Sequence, residues 1–227
     1  MNKNKLAKLF SIIVCVVMIC GVFCSCNDKK GELAEKYPYL SDEAIEQLAN
    51  NIDKENPIAT LKIKDYGTVK IELYNEVAPN TVANFIVLAN DGYYNGLTFH
   101  RIINNFMMQG GDPKGDGTGG PGYAIKGEFT INGIENKLSH TDGVISMGRR
   151  SMPYDSAGSQ FFICNTDYPS LDGQYAAFGK VIEGLDVVHK ASEVKTDLYD
   201  KPLNDVIIES IVVDVKGGTY THVDKIS

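Results

Sequence analysis

The sequence predicts a mainly β fold, a closed antiparallel barrel carrying helices, and three observations lead there. Short runs rich in β-branched and aromatic residues recur between Ile58 and Val215. Many of the 22 glycines crowd between Gly110 and Gly133, which favours a loop-rich β architecture over a helix bundle. Only two helical stretches interrupt the runs, without the strand-helix alternation that a doubly wound sheet requires.

The first residues read as a targeting segment. Lys3, Lys5 and Lys8 precede an uncharged apolar run from Leu9 to Phe23, which ends in Cys24-Ser25-Cys26. A small residue before a cysteine at the end of such a run resembles the bacterial lipoprotein processing site, with Cys26 as the lipidated N-terminus, although Phe23 stands where Leu is usual. The expectation is a signal peptide over 1–25 and an extracytoplasmic, membrane-anchored lipoprotein of the bacterial cell envelope. An uncleaved anchor is the main alternative, but a run of about 15 residues is short for a span. Residues 26–57 follow as a lipidated N-terminus and tether, with one short helix signalled by Ser41 as cap, Asp42 and Glu43 in the first turn, and Ile45 and Leu48 three apart.

The folded domain is expected over 58–216, with 217–227 as a tail. Leu61 and Ile63, then Val69, Ile71 and Leu73, alternate with polar residues around Tyr66-Gly67, which reads as a hairpin. Pro79 to Asn90 carries Val82, Phe85, Ile86 and Ala89 at helical spacing and stops at Asp91-Gly92. Strand signals follow at Leu97–Ile103, Phe106–Gln109, Val144–Gly148, Gln160–Asn165, Ala177–Val181 and Val206–Val215, and a second helix fits Leu185–Ser192.

Composition excludes some functions. The whole chain has a formal charge of −7, and removal of 1–25 takes three lysines and no acid, so nucleic acid is not expected as a partner. Four of the five cysteines lie at or before Cys26. Cys164, alone in the folded part, has no disulfide partner and supports no cysteine metal site, and no cofactor is expected. The Gly110–Gly122 stretch lacks the Gly-Lys-Ser/Thr ending of a phosphate loop, and Asp112 and Asp116 lack calcium-loop spacing.

Alternation sorts the strands into faces. Arg101 points away from His100 and Ile102; Met107 and Gln109 share a side; Phe162 shares a side with Gln160, opposite Phe161 and Ile163. Each strand has one apolar face and one mixed face. Taken individually, Arg101 reads as a structural arginine bound to a carboxylate, and Phe106, Met107, Phe162 and Leu171 read as core.

Phe99-His100-Arg101-Ile102-Ile103, Phe106-Met107, Gln109-Gly110-Gly111-Asp112, Gly117-Thr118-Gly119-Gly120, Gly158-Ser159-Gln160-Phe161-Phe162-Ile163 and Leu171-Asp172-Gly173 together resemble the cyclophilin family in order and spacing. The resemblance runs from about Ile58 to Val215. It implies a closed eight-stranded antiparallel barrel capped by two α-helices, and peptidyl-prolyl cis/trans isomerase activity on proline-containing polypeptides, which the targeting segment makes those of exported proteins. It also implies Arg101 as the catalytic donor, Gln109 orienting it, Phe106, Met107, Phe162 and Leu171 walling the proline ring, Gly148 and Gln160 lining the groove for peptide backbone, and Tyr175 at the pocket's end. Tyr175 stands where eukaryotic members commonly have His, Ser170 where many have Trp, and Gly148 where Ala is common. A monomer is expected, and the alternative function is a non-catalytic module that holds proline peptides in the same groove.

Overall fold

The structure is a computed structural model that describes residues 29–227. The signal segment 1–25 and Cys26 lie outside the described residues. Four helices and eight strands follow in chain order: α1 (29–36), α2 (Asp42–Asn51), β1 (Ile58–Ile63), β2 (Gly67–Leu73), α3 (Pro79–Asn90), β3 (Arg101–Ile103), β4 (Met107–Gly110), β5 (Val144–Met147), β6 (Phe161–Cys164), β7 (Ala177–Glu183), α4 (Leu185–Ser192) and β8 (Ile208–Asp214). Among the described residues no helix is long and apolar enough to cross a membrane.

All eight strands join one antiparallel sheet in the order β3-β4-β6-β5-β7-β2-β1-β8. The expectation of a closed barrel is corrected here, because no ladder joins β3 to β8 and the sheet curls without closing. The run expected as a strand over Leu97–Ile103 is regular only in β3, and the segment before it touches the β8 side through an isolated Thr98–Ile207 bridge. Further along β8, two side chains take the place of a ninth strand. Asn90 Oδ1 accepts from Val213 N at 2.8 Å and Asn95 Oδ1 from Ile211 N at 3.3 Å. The free edge of β3 is met by a loop, Ile102 N donating to Asp200 O at 2.9 Å. Backbone donors at both edges are thus paired without strand closure.

The concave face holds the main core, in which Phe85 of α3 meets Tyr94, Phe161 and Phe178 at ring separations of 5.3 to 5.5 Å. Helix α3 packs on β8 and α4 on β2. Gly184 opens α4 in the left-handed conformation, and a Cβ there would run into the Thr68 carbonyl, so only glycine fits this turn.

Helix α3 is covered on nearly every side, which its spacing alone does not reveal. Its N-terminus has no capping side chain of its own. Glu128, fully buried, supplies the acceptor from a distant loop, taking N–H groups of Asn80 at 3.1 Å and Thr81 at 2.7 Å together with the Tyr39 hydroxyl at 2.7 Å. Burial pushes the Glu128 carboxyl up, and these donors partly offset it. Asn80 exchanges two hydrogen bonds with the backbone of Asp224.

From residue 29 onward, the segment expected to be a tether is docked. The expected helix is present as α2, with Ser41 Oγ accepting from Ala44 N at 3.2 Å. Leu33, Tyr37, Ile45 and Leu48 form a small apolar cluster of their own. The C-terminal tail then crosses α2: Asn51 exchanges hydrogen bonds with Thr219, and Gln47 Oε1 accepts from the N–H groups of Thr221 and His222. The tail ends in a bridge between Ala124 and Ile226.

Glu128 therefore holds three elements through one carboxylate. Glu128→Ala leaves two backbone donors and a tyrosine hydroxyl without their partner, and a loss of about 2 to 3 kcal/mol in unfolding free energy is expected from urea titration.

Candidate active site

The site is built by register. Arg101 of β3 faces Gln109 of β4, Gln109 faces Phe162 of β6, and Phe162 faces Ser146 of β5. In an antiparallel sheet such directly opposed residues present their side chains on one face about 5 Å apart. The neighbouring row is Ile103, Met107 and Cys164. The other face of the same strands carries Ile102, Met108, Ile145, Phe161 and Ile163 into the main core. The expected split into two faces is thus present.

On the outer face, Met107, Phe162 and Cys164 are buried as an apolar floor, with Ile103, Phe106, Leu171 and Tyr175 half-buried around it. Phe162 is held from two sides, by Tyr175 edge-on at 5.7 Å and by the parallel ring of His140 at 6.0 Å. Phe106 leans on Tyr168, with centroids 4.3 Å apart. Tyr175 is in turn covered by the Arg149 guanidinium at 4.6 Å, which also lies 5.0 Å from the rings of Phe129 and Tyr154. Burial pushes the Cys164 thiol up to about 12, so it serves as a small apolar side chain in the floor.

Arg101 lies at the open end of its row, its side chain 40% exposed. It is neither enclosed nor on the opposite face from the recess. The structure does show a carboxylate partner: Nε donates to Asp200 Oδ2 at 3.2 Å and Nη2 lies 3.2 Å from the same oxygen. Asp200 escaped the sequence reading because nothing in Asp197-Leu198-Tyr199-Asp200-Lys201-Pro202 links this turn to a strand some hundred residues earlier. Gln109, expected to orient Arg101, stands beside it in register but donates to Gln160 Oε1 at 2.8 Å.

Gln160 is the hinge of a second network. Its amide nitrogen donates to the carbonyls of Gly117 and Gly119, each at 2.9 Å. This gives the glycine-rich stretch a structural purpose, and Asp112 braces it by accepting from the N–H groups of Lys114, Asp116 and Gly117. Gly111 begins the turn with a positive φ of 82°, where a Cβ would strike the Ser159 carbonyl. Gly148 N donates to Gln160 O at 2.8 Å. Gln109, Gly148 and Gln160 line an open cleft of about 960 Å³ together with Gly117–Ala124. All nine folded residues picked from sequence therefore lie on one outer face, five around the apolar floor, three along the cleft and Arg101 at the end of their shared row.

Beneath Phe162, His140 spans Asp172 and Ser146, with Nδ1 at 2.9 Å from Asp172 Oδ1 and Nε2 at 3.0 Å from Ser146 Oγ. A Ser-His-Asp order alone suggests a nucleophile, but Ser146 and His140 are fully buried, so no substrate carbonyl reaches them. The trio holds the ring that carries Phe162. Burial lowers the His140 pKa below 6.5 and outweighs the Asp172 carboxylate, which acts in the opposite direction; burial also lowers that of His100. The unfolded chain then takes up protons that the folded one refuses. Stability from these groups is complete above about pH 6.5 and is lost as pH falls through the folded pKa values. The thermal midpoint should fall between pH 7 and pH 5, and His140→Gln should flatten that slope.

Comparison with known proteins agrees with this architecture. The family profile described as Cyclophilin type peptidyl-prolyl cis-trans isomerase/CLD matches residues 58–213. A peptidyl-prolyl cis-trans isomerase of Helicobacter pylori is 45% identical over 154 residues, covering 61% of this chain and 91% of its own length. Peptidyl-prolyl cis-trans isomerase B of Bacillus subtilis is 48% identical over 130 residues, covering 57% and 87%. A longer relative, the peptidyl-prolyl cis-trans isomerase-like 2 protein of Rhizopus delemar, is 43% identical over 80% of this chain, which spans only 35% of that protein. Among solved structures, a cyclophilin type peptidyl-prolyl cis-trans isomerase of Cryptosporidium parvum, crystallised in the presence of the dipeptide Ala-Pro, superposes with a TM-score of 0.63 at 33% identity, over 69% of this chain and 98% of its own. With the profile running from the start of β1 into β8, over more than half of the chain, the chain belongs to the cyclophilin-type peptidyl-prolyl cis-trans isomerases.

Proposed function

We propose that this isomerase accelerates rotation about X-Pro bonds of exported proteins, with Arg101 stabilising the twisted amide beside the Met107, Phe162 and Leu171 recess. One observation carries the reading: a partly exposed guanidinium shares a sheet face with an apolar cluster that is separate from the main core. The Ala-Pro dipeptide present with the Cryptosporidium parvum neighbour supports proline peptides as the ligand class.

The chemistry needs no cofactor, since no covalent bond is made or broken. The barrier of about 18 to 20 kcal/mol is amide resonance. Twisting the bond returns a lone pair to the prolyl nitrogen, and a fixed cationic N–H donor near that nitrogen favours the twisted state over the planar one. A charge-assisted hydrogen bond contributes roughly 1.5 to 3 kcal/mol, whereas an acceleration of about 10⁵ needs roughly 7 kcal/mol. The recess supplies the remainder in this account, gripping the ring while the preceding residue rotates in the cleft along Gln109, Gly148 and Gln160, and excluding water that solvates the planar amide.

The anchor at Cys26 completes the proposal, placing the domain outside the cytoplasm at the membrane surface, as a monomer. The Lys3, Lys5 and Lys8 region and the Leu9–Phe23 apolar run support it.

Exchange NMR on a proline peptide tests the activity. Arg101→Ala should slow catalysis on the order of 10 to 1,000-fold; peptide binding with exchange no faster than in buffer in the parent protein would instead identify a non-catalytic module. Phe106→Ala removes a half-buried aromatic wall worth about 1.5 kcal/mol or more, so kcat/KM should drop at least about tenfold. Mass spectrometry of the mature N-terminus should find a lipid-modified Cys26, and an intact, unmodified Met1 would refute the lipoprotein reading.

A further inference from the structure

We propose that Asp200 is a positioning residue, holding the Arg101 guanidinium side-on so that its remaining donors face the substrate; this rests on Arg101 being the catalytic donor. An arginine side chain has several freely rotating bonds, and an unrestrained one spreads its charge over many placements. Here Nε and Nη2 both converge on Asp200 Oδ2 at 3.2 Å. That contact uses the side edge of the fork, and Nη1 has no protein acceptor among the described residues. Gln109, whose Oε1 is the atom able to accept from a guanidinium, makes no hydrogen bond to Arg101 among the described residues, and its amide nitrogen donates to Gln160.

The carboxylate is itself held in place. Asp200 adopts the left-handed conformation, φ 64°, which is uncommon outside glycine. In that conformation its carbonyl accepts from Ile102 N at 2.9 Å, so the residue is tied by its backbone to the strand that carries Arg101 and by its side chain to Arg101 itself. The turn behind it is closed several times over. Asp197 Oδ1 accepts from Tyr199 N at 2.8 Å and from Lys201 N at 3.0 Å. Asp197 N donates to Lys201 O at 2.8 Å, Asp200 N to Asp197 O at 3.2 Å, and a Thr196–Pro202 bridge closes the base.

An ion pair with both partners about 40% exposed adds little to stability. Its location gives it a different use: it restricts the one cation whose direction matters, at the cost of part of that cation's charge. The turn over residues 195–203 is then a part of the site, set on the free edge of β3.

The test uses the full chain and three variants. Asp200→Gly removes the carboxylate while tolerating the left-handed backbone. It should lower kcat about tenfold, with KM for a proline peptide and the thermal midpoint nearly unchanged. Asp200→Asn, which keeps an acceptor and tolerates the same backbone, should recover to within about threefold of the parent. In an Arg101→Ala background, Asp200→Gly should have no further effect, because the two residues act as one unit. A fully active Asp200→Gly beside an impaired Arg101→Ala would overturn the positioning role alone, as would equal losses from Asp200→Gly with and without Arg101. A fully active Arg101→Ala would overturn the proposed function and, with it, the positioning role.

Discussion

The two-residue repeat of three short strands is the constraint on which the rest depends. In β3, β4 and β6 the sheet buries apolar side chains on both faces, the inner one wholly apolar and the outer one mixed, an uncommon demand on an antiparallel sheet, which usually gives one face to water. Phe161 and Ile163 enter the core while Phe162 and Cys164, their immediate neighbours, form the floor of the outer recess. A slip of one residue would exchange the two sets, so register and site are specified together. The row Arg101, Gln109, Phe162 is the clearest sign of it, with a cation, an amide and an aromatic ring drawn from three strands onto one line.

The recess is also rigid for identifiable reasons. His140 is pinned by Asp172 and Ser146 under Phe162, and Arg149 is set among three aromatic rings behind Tyr175. The floor is backed by His140 with both ring nitrogens paired, and one wall by Arg149, which donates to the carbonyls of Gln174, Arg150 and Ser151; such bonds fix geometry more firmly than apolar contact alone. The glycine-rich loop contributes in the same way through Gln160, offering the carbonyls of Gly117, which is in the left-handed conformation, and of Gly119, where a Cβ would strike Asp112.

Much of this was legible in the sequence because it is local. Alternation gave the faces of β4 and β6, Pro79 and Asp91-Gly92 bracketed α3, and Ser41 marked the start of α2. What was not legible depends on contacts between distant segments. The closed barrel failed because Asn90 and Asn95, ordinary polar residues in a helix and a turn, occupy the edge that a strand would have used. The tether proved to be docked because its anchors, Glu128 and the 219–226 tail, lie far along the chain. Asp200 was missed and Gln109 assigned too direct a contact for the same reason: side-chain pairing across loops leaves no periodic trace.

Both borders of the sheet are sealed with single side chains or a turn rather than with another strand. Exposed strand borders recruit extended polypeptide, and the ligands proposed for this protein are proline-containing chains able to present such stretches. A border left open there would offer such chains a second place to pair, so the two asparagines guard against misplaced association as well as satisfying the sheet.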